Sequence, residues 1–121
     1  MKIERFEDLE CWKSSRKMVF LIYKMTSQKE IARDFDTVRQ LRRAALSVMN
    51  NIAEGFSRYS RRDFIHFLDI SKSSISEVKS MIYVGSDLGY FGKEQAEELH
   101  KQSDKTKNQV LGLIRYINKP K

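Results

Sequence analysis

Gln40-Leu-Arg-Arg-Ala-Ala-Leu-Ser-Val-Met-Asn-Asn-Ile-Ala-Glu-Gly-Phe-Ser-Arg58 carries a helical period from end to end. Leu41, Ala45, Val48, Ile52 and Gly55 recur in alternating steps of four and three. At roughly 100° per residue they stay on one face of an α-helix. Ala44 and Phe56 widen that face into a stripe broad enough to meet a core. A second, weaker apolar line runs along the far side through Leu46, Met49 and Ala53, mixed with Arg39, Arg42, Arg43 and Asn50. A helix with two apolar faces suits a position that packs inside its own domain and also against a neighbour.

The chain before this helix repeats the pattern. Over 7–27, Leu9, Trp12, Ser15, Val19, Ile22, Tyr23 and Thr26 share one face and are expected in the core. Met18, Leu21 and Met25 form a second line beside a basic edge of Lys13, Lys17 and Lys24. Together with Leu46, Met49 and Ala53 they are expected to form a subunit interface. Residues 28–33 read as a connection, and Asp34 or Asp36 as the cap of the next helix.

Beyond it, Arg58-Tyr-Ser is a short link. Ser60 followed by Asp63 resembles a capping box and starts a third helix at Arg61. Its stripe is Phe64, Phe67, Leu68, Ser71, Ser74, Ile75, Val78, Met81, Ile82 and Gly85. Gly89 suits the left-handed position after a helix end. A fourth helix from Lys93 buries Ala96, Leu99, Ser103, Thr106, Val110, Leu113 and Ile117. Pro120 is the only proline, so the punctuation of an all-β chain is missing. Four long amphipathic helices with short links make an all-α fold, an antiparallel up-down-up-down four-helix bundle, in one domain over 1–121.

Composition narrows the function. No apolar run approaches the ~18–20 residues that span a bilayer, so no membrane partner is expected. No continuous apolar segment near the start reads as a secretory leader. One cysteine, Cys11, cannot form an internal disulfide, which fits a cytoplasmic protein. The net charge of +7 favours association with polyanions.

Catalysis and metal binding find little support. Glu97-x-x-His100 and Asp63-x-x-His66 approximate the Glu-x-x-His pairs of carboxylate-bridged metal bundles. On the helical wheel, however, Glu97 lies roughly 140° from its stripe, and His66 about as far from its own. Both histidines are therefore expected in solvent, with no metal and no cofactor. Cys11 stands among Glu7, Asp8 and Glu10, which raise a thiol pKa rather than activate it. Phosphate-binding glycine loops and the nucleophile-elbow pattern are absent. Asn51 and Glu54 are read as boundary residues that bond neighbouring helix ends or a second subunit. The chain is not expected to be an enzyme.

The basic side chains remain. Arg39, Arg42 and Arg43 cluster on the second helix, with Arg42 also able to pair with Glu54. Arg58, Arg61 and Arg62 surround the turn, with Tyr59 among them as a ring on which a base can stack. Lys72 and Lys79 continue along the third helix. These nine are the candidate nucleic-acid contacts. No helix-turn-helix, zinc-finger or RNA-recognition signature accompanies them. Salt-sensitive attraction to RNA or DNA backbone is therefore what they imply.

QLRRA at 40–44 and NIAEGFSR at 51–58 together resemble the signature of the bacterial four-helix bundle family that includes the 23S rRNA intervening-sequence proteins. FEDLECW at 6–12, Ile22-Tyr23 with Thr26, Ser60-x-x-Asp63-Phe64 with Phe67-Leu68, and Leu88-Gly-Tyr90 agree. The resemblance implies bundles assembled into closed rings, with homopentamers the known arrangement. It is similar also to bundles that act as accessory proteins of reverse transcriptases in retroelements. Two departures stand out: no Phe-Pro near Ser27-Gln28, and Met49 where the family commonly has proline. The resulting expectation is a non-catalytic homo-oligomer, a pentamer, that binds nucleic acid non-specifically. The alternative is a scaffold for a protein partner, with incidental charge.

Overall fold

The computed structural model describes residues 3–28 and 30–120. A 3-10 turn (Phe6–Asp8) leads into α1 (Glu10–Thr26), and a second (Ile31–Arg33) leads into α2 (Phe35–Phe56). Helices α3 (Arg61–Asp87) and α4 (Lys93–Ile117) complete the chain, and no strand occurs among the described residues. Of the expected connection at 28–33, Lys29 lies outside the described residues.

The helix ends follow local chemistry. Asp34 caps α2, accepting from the Thr37 N–H at 3.2 Å and the Thr37 hydroxyl at 2.8 Å. Ser60 Oγ accepts the Asp63 N–H at 3.0 Å and starts α3. Past the end of α3, Gly89 takes φ +76°, and the chain turns back so that Tyr90 N–H donates to Gly85 C=O at 2.8 Å. That turn drops the Phe91 ring into the core, directly over Gly85.

Cross-helix pairs fix the topology. Arg42 near the start of α2 reaches Thr26 at the end of α1. Along α2 and α3, Ser47 pairs with Ser74, Ser71 donates to Val48 C=O, and Gly55 lies against Phe67 and Phe64. Tyr83 meets His100 and Lys79 meets Asp104 across α3 and α4. Ser14 pairs with Thr106 and Met18 with Ser103 across α4 and α1. In every case the rising number on one helix meets the falling number on its neighbour. All four adjacent pairs are thus antiparallel, and the bundle closes with α1 against α4.

The centres of the α2, α3 and α4 stripes are buried as their periodicity requires, while Phe56, Phe64, Phe67, Met81, Ala96 and Ile117 at their margins are half-buried. Leu41, Ala45, Val48, Ile52, Leu68, Ile75, Val78, Ile82, Leu99 and Val110 are fully enclosed. Polar positions in the α4 stripe have partners. Thr106 Oγ1 and Ser14 Oγ stand 2.7 Å apart, and Gln102 Nε2 donates to Ser14 C=O at 2.9 Å. A buried hydroxyl needs such a bond, and these fix the register of α1 on α4.

Helix α1 departs from expectation. Met18, Leu21 and Met25 are not an outward line for a neighbouring subunit: they lie in the bundle's own core, 0%, 8% and 5% exposed. Of the face expected in the core, Leu9, Ser15, Ile22 and Thr26 are buried, and Trp12, Val19 and Tyr23 lie at its outer margin. Trp12 and Val19 are half-buried, Tyr23 is exposed, and Phe20 beside them is 64% exposed. The reason is packing on two sides. α1 is closed in by both α2 and α4, so its buried stripe is wide, running from Cys11, Ser14 and Met18 to Ile22 and Thr26. Small residues at Ser14 and Ser15 let the helices approach, and Trp12 and Val19 pack half-buried against the edge of the core. On α2, Leu46, Met49 and Ala53 stay half-exposed on the outer side.

Candidate functional site

A shallow trough of about 740 Å³ runs over the outer face of α2. Arg39, Arg42, Arg43 and Asn50 supply its polar lining, Phe35 its upper end and Tyr23 its edge toward α1. No carboxylate lines it. Arg39 and Arg43 are exposed and make no ion pair among the described residues. Side by side on one helix face, these guanidinium groups give a local excess of positive charge, against one carboxylate in the first turn of the same helix, Asp36, with which none of them forms an ion pair.

Arg42 has a different role. Its Nε donates to Thr26 Oγ1 at 2.9 Å, one terminal nitrogen donates to Ser27 Oγ at 3.2 Å, and the guanidinium lies 4.4 Å from the Tyr23 ring centroid. It stitches α1 to α2 rather than pairing with Glu54. Glu54 instead holds Arg58 at 3.3 Å, and Arg58 also covers the Phe67 ring. Asn51 donates from its amide nitrogen to Ser47 C=O at 2.8 Å. Asn51 and Glu54 therefore bond within α2 and its adjoining turn, not to distant helix ends.

The nine candidate contact residues do not share one face. Arg39 and Arg43 sit on the outer side of α2. Tyr59, fully bare, and the exposed Arg61 and Arg62 sit at the turn beyond its far end, about 22 Å along the axis from Arg43. Lys72 pairs with Asp69 at 3.5 Å, and Lys79 pairs with Asp104. Arg42, Arg58, Lys72 and Lys79 are thus engaged within the chain. Arg39, Arg43, Arg61 and Arg62 are not.

A larger hollow of about 1190 Å³ lies over α4, but its cations interleave with Glu97, Glu98 and Asp104. Four lysines against three carboxylates leave it close to neutral, a weaker field for a polyanion than the trough's three arginines. His66 is exposed, as the wheel requires. His100 is not solvated: its ring packs on Tyr83 at 4.5 Å, and both nitrogens are hidden with no hydrogen-bond partner among the described residues. Burial lowers its pKa, with Lys79 adding to the effect and Asp104 opposing it. Cys11 is buried, and that burial pushes its thiol up to about 12, with the Glu10 carboxylate the smallest contributor. Such a thiol is not a nucleophile near neutral pH. Among the described residues no group of three or more His, Cys, Asp or Glu converges on a metal position. None of the described helices is long and apolar enough to cross a membrane.

Sequence reasoning missed Phe35. It follows the cap Asp34 directly, lies roughly 130° from the centre of the α2 stripe, and is 73% exposed. Its offset from the stripe was the available signal.

Comparison with known proteins places this geometry. None of the curated proteins compared with the chain matches it. The fold is similar to the crystal structure of a protein with unknown function, from the S23 ribosomal protein family of Bacteroides thetaiotaomicron VPI-5482. The TM-score is 0.79 at 23% identity, over 86% of this chain and 97% of that one. Neither that protein nor the matching family carries a known enzymatic activity. The family model of the 23S rRNA-intervening sequence protein matches residues 7–112, and the chain belongs to that family.

Proposed function

We propose that the protein is a non-catalytic, cytoplasmic homo-oligomer that binds RNA or other nucleic acid through its unpaired guanidinium groups. The carboxylate-free trough with unpaired Arg39 and Arg43 is the observation that carries this reading. Arg61 and Arg62 add a second basic point at the α2–α3 turn. Binding of this kind rests on phosphate contact and counterion release, so it is weakly selective and falls steeply with salt. Copies join along the outer side of α1 and α2, where Leu46, Met49 and Ala53 stand half-exposed; Leu46 also lines the trough, so the proposed seam runs on its Met49 and Ala53 side and leaves the Phe35–Arg43 end open. A closed pentameric ring is the assembly proposed. It would set several troughs around one particle and raise affinity without new contacts.

Sedimentation velocity of nuclease-treated protein, alone and with a labelled structured RNA, tests both parts. The expected result is a ring-sized species that carries RNA at low salt and releases it as salt rises. A monomer removes the assembly. A ring that ignores RNA at both salts removes the nucleic-acid reading and favours a scaffold for a protein partner.

A further inference from the structure

We infer that the α2 trough takes single-stranded nucleic acid, with an unpaired base stacked on Phe35 and its phosphates on Arg39 and Arg43. This rests on the nucleic-acid reading above and narrows it to one class of strand. Two rings border the trough, and they differ. The Tyr23 ring is covered by the Arg42 guanidinium at 4.4 Å. Phe35 carries no such cover and is 73% exposed. It stands one helical turn before Arg39 and two before Arg43, on the same side of α2.

A bare phenyl ring beside unpaired cations has a natural occupant in a nucleobase, because every base offers a π-face and a neighbouring phosphate. A duplex hides those faces in its stack, and A-form RNA keeps its major groove too deep and narrow for side chains to read. Attraction to a duplex would need the arginines alone and leave Phe35 without a role. Asn50, exposed farther along the trough, supplies amide donors and an acceptor for a base edge. At the α2–α3 turn the arrangement recurs, with Tyr59 fully bare beside Arg61 and Arg62.

The test is fluorescence anisotropy of the full-length protein with a labelled oligouridylate, and with the same strand annealed to oligoadenylate. The single strand is expected to bind more tightly. Phe35→Ala should weaken the single strand by about ten-fold, the usual scale for losing one stacked base, and leave the duplex unchanged. Phe35→Trp should retain binding. Phe35 is exposed, so circular dichroism of these variants should match the parent. Equal binding of both forms, or a Phe35→Ala variant that binds like the parent, overturns the stacking inference while leaving the polyanion reading intact. Absence of binding to either form at low salt overturns the polyanion reading itself. A change in sedimenting mass for Phe35→Ala, with RNA binding unchanged, assigns the trough to a second copy of the chain and overturns the inference.

Discussion

The Tyr90 hydroxyl donates to Asp34 Oδ2 at 2.9 Å, tying the α3–α4 loop to the first turn of α2. Asp34 also caps α2 through Thr37. The Thr37 bonds first, and then Tyr90, hold the Asp34 carboxyl below the usual carboxylate range. A carboxyl pKa lowered by folding stabilises the fold above its unfolded value, near ~4. That contribution is lost as pH falls through the lowered folded value. Asp34→Ala should melt several degrees lower at neutral pH and show a smaller further loss on acidification. For Tyr90 the sign is reversed: the bond to Asp34 raises its pKa, so its contribution holds below ~10 and is lost at higher pH. Thermal melts of Asp34→Ala and Tyr90→Phe from acid to alkaline pH check both limbs. Parallel pH curves for parent and variants would show that the bond is absent in solution.

Leu21 and Leu46 separate core from interface. Leu21 is 8% exposed and packs with Met18 and Met25, whereas Leu46 is half-exposed on the outer side of α2. Leu21→Ala should cost about 2–5 kcal/mol by leaving a cavity, and Leu21→Glu should prevent folding. Leu46→Glu should keep the helical spectrum and melting temperature while lowering the sedimenting mass. A Leu46→Glu variant of unchanged mass removes this residue from the interface.

This contrast also marks what could be read from the residues. Ser60, Gly89 and the stripes of α2, α3 and α4 announced themselves, and the α2 cap was narrowed to Asp34 or Asp36, because capping chemistry and a 3.6-residue period act locally. For α1 the period was present, yet two apolar lines competed for the core. Their choice depended on which neighbours closed around the helix, a matter of tertiary packing that no local signal carries. Charge behaved likewise. The arginines were legible as a cluster, but Arg42 is bonded only because Thr26 meets it in space, whereas the Glu54–Arg58 pair, four residues apart, is a local one that spacing alone could have given. Phe35 was passed over because its one mark, an offset from the α2 stripe, falls outside a pattern searched for burial.

Two glycines are set by close approach. A Cβ built on Gly55 would stand 2.8 Å from Phe67 Cβ and 3.2 Å from Phe64 C=O. On Gly85 it would stand 2.5 Å from the Phe91 ring, which is itself buried. Alanine gains about 1 kcal/mol of helix propensity over glycine, but overpacking a tight contact costs about 1–3 kcal/mol. Gly55→Ala and Gly85→Ala should therefore each lose on the order of 1 kcal/mol net. Urea unfolding measures this, and a stabilised Gly85→Ala would mean the Phe91 ring moves freely aside.

Cys11 provides a probe of the closed fold. With its thiol pushed up to about 12 and 2% exposed, it should resist alkylation by iodoacetamide at mildly alkaline pH. In denaturant its pKa returns toward ~8.5 and labelling becomes fast. Mass spectrometry of quenched samples follows both rates. Rapid labelling of the native protein would show that the α1–α4 end of the bundle opens readily.

The arginines should divide in function as they do in bonding. Arg42→Gln breaks the links to Thr26 and Ser27, and should cost about 1 kcal/mol of stability. Arg39→Gln and Arg43→Gln touch no internal partner and should stay within about 0.5 kcal/mol of the parent. Their effect belongs to RNA binding. Removing one cation that neutralises a phosphate should lower the slope of log affinity against log salt by about 0.7 for a single strand. Arg61→Gln with Arg62→Gln should act in the same way if the turn also holds the strand, whereas Arg58, already paired with Glu54, should contribute least. Salt titrations of these variants decide the matter. If Arg42→Gln flattens the slope as much as the Arg39 and Arg43 pair, its guanidinium leaves Thr26 when RNA binds. If none of them changes the slope, the trough is not where the phosphates lie.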